Sequence, residues 1–150
     1  MLNKELIEIF NQITEEVGIL VSQFVEQADL TGKSDFGSIY SKNEEEFDKF
    51  TRQLKDNGSP ADIQETGTYY WLNEPLETSL GIIRRFRIRT PDGSYKERGY
   101  VGFEVKNYQD FKNKYLKRSN FKQIDNPKVE MIELKSPEFN VRAYFPDVRF

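Results

Sequence analysis

The sequence predicts an α+β fold in which an N-terminal helix is followed by two βαβββ modules. Two observations carry this. The segment KNEEEF at residues 42–47 returns sixty-four positions later as KNYQDF at residues 106–111, each time after a short apolar strand-like run and at the start of an amphipathic helix. Downstream, each helix leads to polar and aromatic strand segments that close on a similar pattern, GIIRRF at 81–86 and FNVRAY at 139–144. A duplicated module implies a two-fold architecture, and such architectures often place a ligand between the copies. The repeat names no ligand.

From Leu2 to Asp29, the apolar residues Leu6, Phe10, Ile13, Val17, Leu20 and Phe24 recur at steps of four and three, which lines one face of a helix. That helix is expected to pack on the domain's own core, with a bend or interruption at Gly18. TGKSD at 31–35 carries turn and breaker residues, and Phe36, Ser38 and Tyr40 alternating with Gly37 and Ile39 predict the first strand. Asn43 is a good N-cap, Glu44, Glu45 and Glu46 complement the positive helix end, and Phe47, Phe50 and Leu54 make the buried stripe before Asn57-Gly58 stops it. Strands are expected near 61–66, 68–73 and 81–90, with Asn73, Glu74 and Pro75 opening the bend between the last two. TPDGS at 90–94 suits a tight turn, and a polar linker runs to Gly99. The second module repeats the plan: a strand over 100–105, a helix capped by Asn107 and carrying Phe111, Tyr115 and Leu116, then strands near 121–125, 129–135 and 139–145. The organisation is one domain over 1–150, with the N-terminal helix at 1–30, module one at 35–90 and module two at 99–146.

With 150 residues and 37% hydrophobic content, one compact core shared by two small modules fits better than two independent domains. A net charge of −3 argues against a general nucleic-acid binder while leaving room for a local basic patch. Cysteine and histidine are both absent, which removes Ser-His-Asp and Cys-His catalysis, thiolate or imidazole metal ligation and a histidine pH switch. Charges interrupt the apolar residues of MLNKELIEIF, so no secretory signal is read there, and no transmembrane span is seen; a cytoplasmic, soluble protein is expected.

The paired βαβββ pattern over roughly residues 35–146 resembles the vicinal oxygen chelate superfamily, the glyoxalase and bleomycin-resistance fold, best at its ending, MIELKSPEFNVRAYF (131–145). The preceding long helix resembles an uncharacterised bacterial branch of YecM type. The resemblance implies a cupped mixed β-sheet holding a divalent metal through His, Glu or Gln from the first and last strands of each module. Carried over residue by residue, the first-strand positions fall at Phe36 and near Tyr100, and the last-strand positions at Arg85 and Ala143. None is a usual metal ligand, so no metal and no cofactor is expected. The remaining carboxylates, Glu104, Glu130 and Glu133, show no converging spacing.

The most unusual local chemistry is Arg84-Arg85-Phe86-Arg87-Ile88-Arg89. Strand alternation puts Arg85, Arg87 and Arg89 on one face with Ile83. Either this is a solvent-facing edge strand paired with glutamates, or it is an anion site, since guanidinium presents a donor fork to carboxylate or phosphate. With Phe36, Tyr40, Tyr69, Trp71 and Tyr100 as aromatic walls, the expected function is a metal-free binding module for a small anionic or aromatic ligand, with Arg85, Arg87, Phe36, Tyr40, Trp71 and Tyr100 as ligand-binding residues. No catalytic residue is assigned. A single-stranded nucleic-acid or protein interaction module is the first alternative; RGYVGFEV at 98–105 resembles an RNA-binding strand, but Tyr100 and Phe103 are spaced to project oppositely. A metal-free enzyme using Glu104 or Glu133 as base, with Arg85 holding an anionic substrate, is the second. The acidic first repeated helix and basic second one would suit a homodimer, and no membrane partner is expected.

Overall fold

Three asparagines start the three α-helices of the computed structural model, which describes every residue from Met1 to Phe150. In α1 (Lys4–Phe24), α2 (Glu44–Asn57) and α3 (Tyr108–Tyr115), the side chains of Asn3, Asn43 and Asn107 accept from the amides of Leu6, Glu46 and Asp110 at 2.9, 2.8 and 2.9 Å. Each cap satisfies an otherwise orphaned amide, a contribution of about 1 kcal/mol. The repeated Lys-Asn pair therefore marks matching helix starts.

Eight strands form one mixed sheet: β1 (Leu30–Tyr40), β2 (Gly58–Asp62), β3 (Tyr69–Thr78), β4 (Gly81–Arg89), β5 (Gly99–Val105), β6 (Phe121–Asp125), β7 (Glu130–Leu134) and β8 (Val141–Pro146). Their spatial order is β2-β3-β4-β1-β5-β8-β7-β6. Within it β1 runs parallel to β4 and β5 parallel to β8, while all other neighbours are antiparallel. The chain thus passes through β-α-β-β-β twice, and the two halves meet at β1 and β5, where Ser38 faces Tyr100 and Gly37 faces Val101.

The helices cover one face. The main core holds Leu6, Phe10, Ile13, Val17 and Leu20 of α1, Phe50 and Leu54 of α2, and Phe111 and Tyr115 of α3 against Ile39, Phe86, Val101 and Phe145. Phe10 meets Phe86 edge-on at 4.6 Å, and Phe111 lies 4.6 Å from Phe145. Burying one such ring is worth about 1.5–3 kcal/mol. The other face carries a smaller cluster of Phe36, Tyr40, Tyr100 and Tyr144. The sheet curls around it until Asp62, at the end of β2, forms an ion pair with Lys128 in the β6–β7 turn, although β2 and β6 are the two opposite edges.

Several expectations change. Gly18 does not interrupt α1; it lies under Leu80, where a Cβ would come within 3.3 Å of that side chain. TGKSD belongs to β1, because its breakers are absorbed as register shifts against β5 rather than as a turn. Similarly, β2 occupies 58–62 instead of 61–66, and β3 runs through Asn73, Glu74 and Pro75 to Thr78. Pro75 falls in a bulge, where β3 advances from Trp71 to Leu76 while β4 steps back only from Arg85 to Ile83. This bulge also breaks the alternation of β4, so Ile83 joins Phe86 in the core instead of sharing a face with Arg85. Finally, β4 is an interior strand between β3 and β1, not a solvent-facing edge. No helix is long and apolar enough to cross a membrane.

The linker between the modules is pinned by Arg98, whose fork donates to both carboxylate oxygens of Glu46 at 2.7 and 3.1 Å and to the Tyr40 carbonyl at 2.7 Å. Burial alone would raise the Glu46 carboxyl, but Arg98 and the Lys42 amide outweigh it and hold the group below its ordinary value of 4.5. Unfolding releases Glu46 to that ordinary value, so the unfolded chain binds the proton first as pH falls. The stabilisation is whole above pH 4.5 and is lost as pH drops through the folded value. Glu46→Gln is expected to lower stability at neutral pH and to flatten its decline below pH 4.5, read from urea midpoints between about pH 3 and pH 7.

Candidate functional site

Strand alternation places Arg85, Arg87 and Arg89 of β4 beside Phe36, Ser38 and Tyr40 of β1, all on the face away from the helices. Above them opens a cavity of about 360 Å3. Module one supplies Asp62, Gln64, Thr66, Tyr69 and the three arginines to its wall; module two supplies Ile124, Val129, Met131, Tyr144 and Pro146; Phe36 and Tyr100 lie between them. Module one thus supplies most of the charged side chains and module two most of the aliphatic ones, with Asn126 and Lys128 its polar exceptions.

Arg87 dominates the polar wall. Only 7% of the residue is exposed, and its guanidinium donates to Gln64 Oε1 at 2.8 Å, Thr66 Oγ1 at 3.3 Å and the Tyr100 hydroxyl at 2.6 Å. No carboxylate pairs with it, and its Nε finds no acceptor. The Tyr69 ring lies 4.7 Å from the guanidinium carbon, and the Tyr69 and Tyr100 hydroxyls are hydrogen-bonded to each other. Burial works against the Arg87 charge, but the Tyr100 and Tyr69 oxygens outweigh it and keep the group protonated. Enclosure, followed by the neighbouring Tyr100, drives the Tyr69 phenol well above its usual value of 10.0, so it stays a hydroxyl at neutral pH.

The segment carrying Gln64 and Thr66 depends on Gly67. Its φ of +132° lies where a side chain is strained, and a Cβ there would sit 2.2 Å from the Ile88 carbonyl oxygen. Gly67→Ala must push this segment off β4 and so loosen Gln64 and Thr66, two of the three acceptors of Arg87. The expected loss is about 1–3 kcal/mol, seen as a thermal midpoint lowered by about 2–4 °C per kcal/mol.

The other expected ligand residues divide. Phe36, Arg85 and Tyr100 line the cavity, though Arg85 is already paired with Asp35, its Nε donating at 2.8 Å. Tyr40 does not line it. That ring stacks on Tyr95 at 5.3 Å on the same face of the sheet, and burial, then Tyr100, pushes its phenol up to about 12. Trp71 is also outside, 46% exposed, with the Arg85 guanidinium 5.5 Å from its ring, and it lines a separate groove with Asp35, Arg84 and Arg85.

Ala143 faces the core, opposite Val101, so it cannot match Arg85. The register gives the true match: Phe36 pairs with Arg85, and Tyr100 pairs with Arg142. Each half therefore holds an arginine at the same place. Arg142 is closed in by two carboxylates, donating from Nε to Glu97 at 2.8 Å and from Nη1 to Glu133 at 3.0 Å, while the Tyr144 hydroxyl donates to Glu133 at 2.8 Å.

The carboxylates considered as bases or metal ligands are dispersed. Glu133 is held by Arg142 and Tyr144, Glu130 accepts from Tyr108 and Lys112, and Glu104 accepts from the Phe150 amide. None lines the cavity, and no three acidic side chains are grouped to hold an ion. Tyr100 and Phe103 of β5 lie in different clusters on opposite faces, so they form no stacking pair. No family model matches the chain, and no curated protein matches it at a significant level.

Sequence reasoning missed Gln64, Thr66, Ile124 and Met131. The strand expected near 61–66 takes in Gln64, which instead sits in the loop between β2 and β3. Only the Gly67 turn and the later pairing of edges bring these segments over β4.

Proposed function

We propose that this protein is a binding module for a small anionic ligand, seated between the two halves of a cupped, glyoxalase-like sheet. Strand order and the parallel β1–β4 and β5–β8 pairs support the likeness to the vicinal oxygen chelate scaffold. The observation that carries the functional reading is Arg87, a protonated guanidinium enclosed in a cavity wall with no carboxylate against it. Desolvating such a charge without an opposite partner costs several kcal/mol, which a bound anion offsets. The structural arginines behave differently: Arg98 meets Glu46, and Arg142 meets Glu97 and Glu133.

Thermal unfolding with acetate, benzoate, phosphate and sulfate, run on wild type and Arg87→Met, tests this. At a hundred times its Kd, a bound anion adds about 2.7 kcal/mol, a rise of about 5–10 °C for this chain length. At least one anion is expected to stabilise wild type and leave Arg87→Met unmoved. Tight calorimetric binding of a divalent cation in the cup, with no anion effect, would overturn the proposal.

A further inference from the structure

The cavity is unequal in its two halves, and that inequality specifies more than charge. Among its cationic side chains, Arg85 is neutralised by Asp35 and Lys128 by Asp62, while Arg89 is only partly buried and reaches the Tyr95 hydroxyl at 3.4 Å. Arg87 is the one enclosed positive charge left without a carboxylate. One such charge calls for one negative charge in the ligand.

The hydroxyls around it define the chemistry of the head group. Tyr69 and Tyr100 have two phenolic protons between them; one is used in the bond joining the two oxygens, and the Tyr100 oxygen also accepts from Arg87. The second proton has no acceptor in the protein. Gln64 Oε1 and Thr66 Oγ1, the other two acceptors of the guanidinium, each already receive a hydrogen bond from it. This corner therefore offers a cation and a spare O–H donor, which an acceptor-only group satisfies. Across the cavity, Ile124, Val129, Met131 and Pro146 present apolar surface, beside Asn126 and the Asp62-paired Lys128 of the β6–β7 turn. At about 360 Å3, the space is at the small end of ligand pockets, which run from about 300 to 1,000 Å3.

We propose that the ligand is a monocarboxylate with an apolar body, its carboxylate at Arg87 and the Tyr69–Tyr100 hydroxyls, its body against the module-two wall. This rests on the anion-binding reading above and adds the valence of the head group and the direction of the tail. A dianionic phosphate ester brings a charge that the corner does not neutralise, and a small inorganic anion leaves the apolar wall uncovered.

The test is calorimetric titration of the full chain with matched pairs, benzoate against phenyl phosphate, 1-naphthoate against 1-naphthyl phosphate and octanoate against octyl phosphate, together with acetate and 1-naphthalenemethanol. At least one body-bearing carboxylate is expected to bind ten or more times tighter than its phosphate partner, than acetate and than the alcohol. Arg87→Met is expected to weaken that carboxylate at least tenfold. Met131→Glu, which sets a like charge on the apolar wall at a partly exposed position, is expected to do the same while Arg87 remains in place. Phosphates binding at least as tightly as carboxylates, with the same dependence on Arg87, would defeat the monocarboxylate assignment and leave the anion site standing. Binding of acetate equal to that of the larger acids would likewise defeat only the apolar-body assignment. Equal binding of acid and alcohol in wild type and Arg87→Met, or no binding by any of them, would defeat both readings.

Discussion

Arg142→Met is expected to destabilise the protein by about 3–5 kcal/mol, because it strips the counter-ion from a buried pair of carboxylates. Glu97 is 7% exposed and Glu133 5% exposed, and the Arg142 guanidinium is the cation that bridges them. At about 2–4 °C per kcal/mol, the thermal midpoint should fall by roughly 6–20 °C. Neutralising the acids separates charge from packing. If the loss comes from uncompensated charge, Arg142→Met combined with Glu97→Gln and Glu133→Gln should recover most of it. If the triple variant is no more stable than Arg142→Met, the cluster acts through shape and hydrogen bonding, and this account of it is wrong.

The equivalent change on the cavity wall should have the opposite sign. Arg87→Met replaces an enclosed cation with an apolar chain of similar length and removes its desolvation penalty. Its former partners, Gln64, Thr66 and Tyr100, line the cavity, so a water in the space beside them can take over hydrogen bonds that the guanidinium made. The free protein is expected to gain about 1 kcal/mol, a rise of about 2–4 °C, while anion-induced stabilisation disappears. Such an exchange of stability for loss of binding is characteristic of a side chain kept for function. A thermal midpoint lowered by Arg87→Met, with anion response intact, would show that the residue only supports the fold.

Local signals made much of the architecture legible. Asn43 and Asn107 at the helix starts, the alternation of Phe36, Ser38 and Tyr40, and the spacing from Leu6 to Phe24 each act within one element, so the chain alone displays them. What escaped depends on pairing between elements. The breakers of TGKSD read as a turn because their accommodation lies in the register with β5. Matching GIIRRF to FNVRAY by letter set Arg85 against Ala143, whereas the ladders set it against Arg142, one residue away and on the other face. Arg85, Arg87 and Tyr100 could be read as one face from alternation across neighbouring strands. Gln64 and Met131 could not, since only the curling of the sheet brings them to that face.

That curling ends in the contact between Asp62 and Lys128, which ties one edge of the eight-stranded sheet to the other. Gln64 bridges the same aspartate to Arg87, donating to Asp62 at 2.7 Å and accepting from the guanidinium at 2.8 Å. The clasp is therefore wired to Arg87, yet the Lys128 side chain is 72% exposed and open to counter-ions. Screening becomes strong once the Debye length shrinks from about 10 Å at 0.1 M to about 3 Å at 1 M salt. A ligand held as proposed should consequently leave faster as ionic strength rises, even when its own contacts are with Arg87: the Asp62–Lys128 contact would feel the salt before the buried guanidinium does.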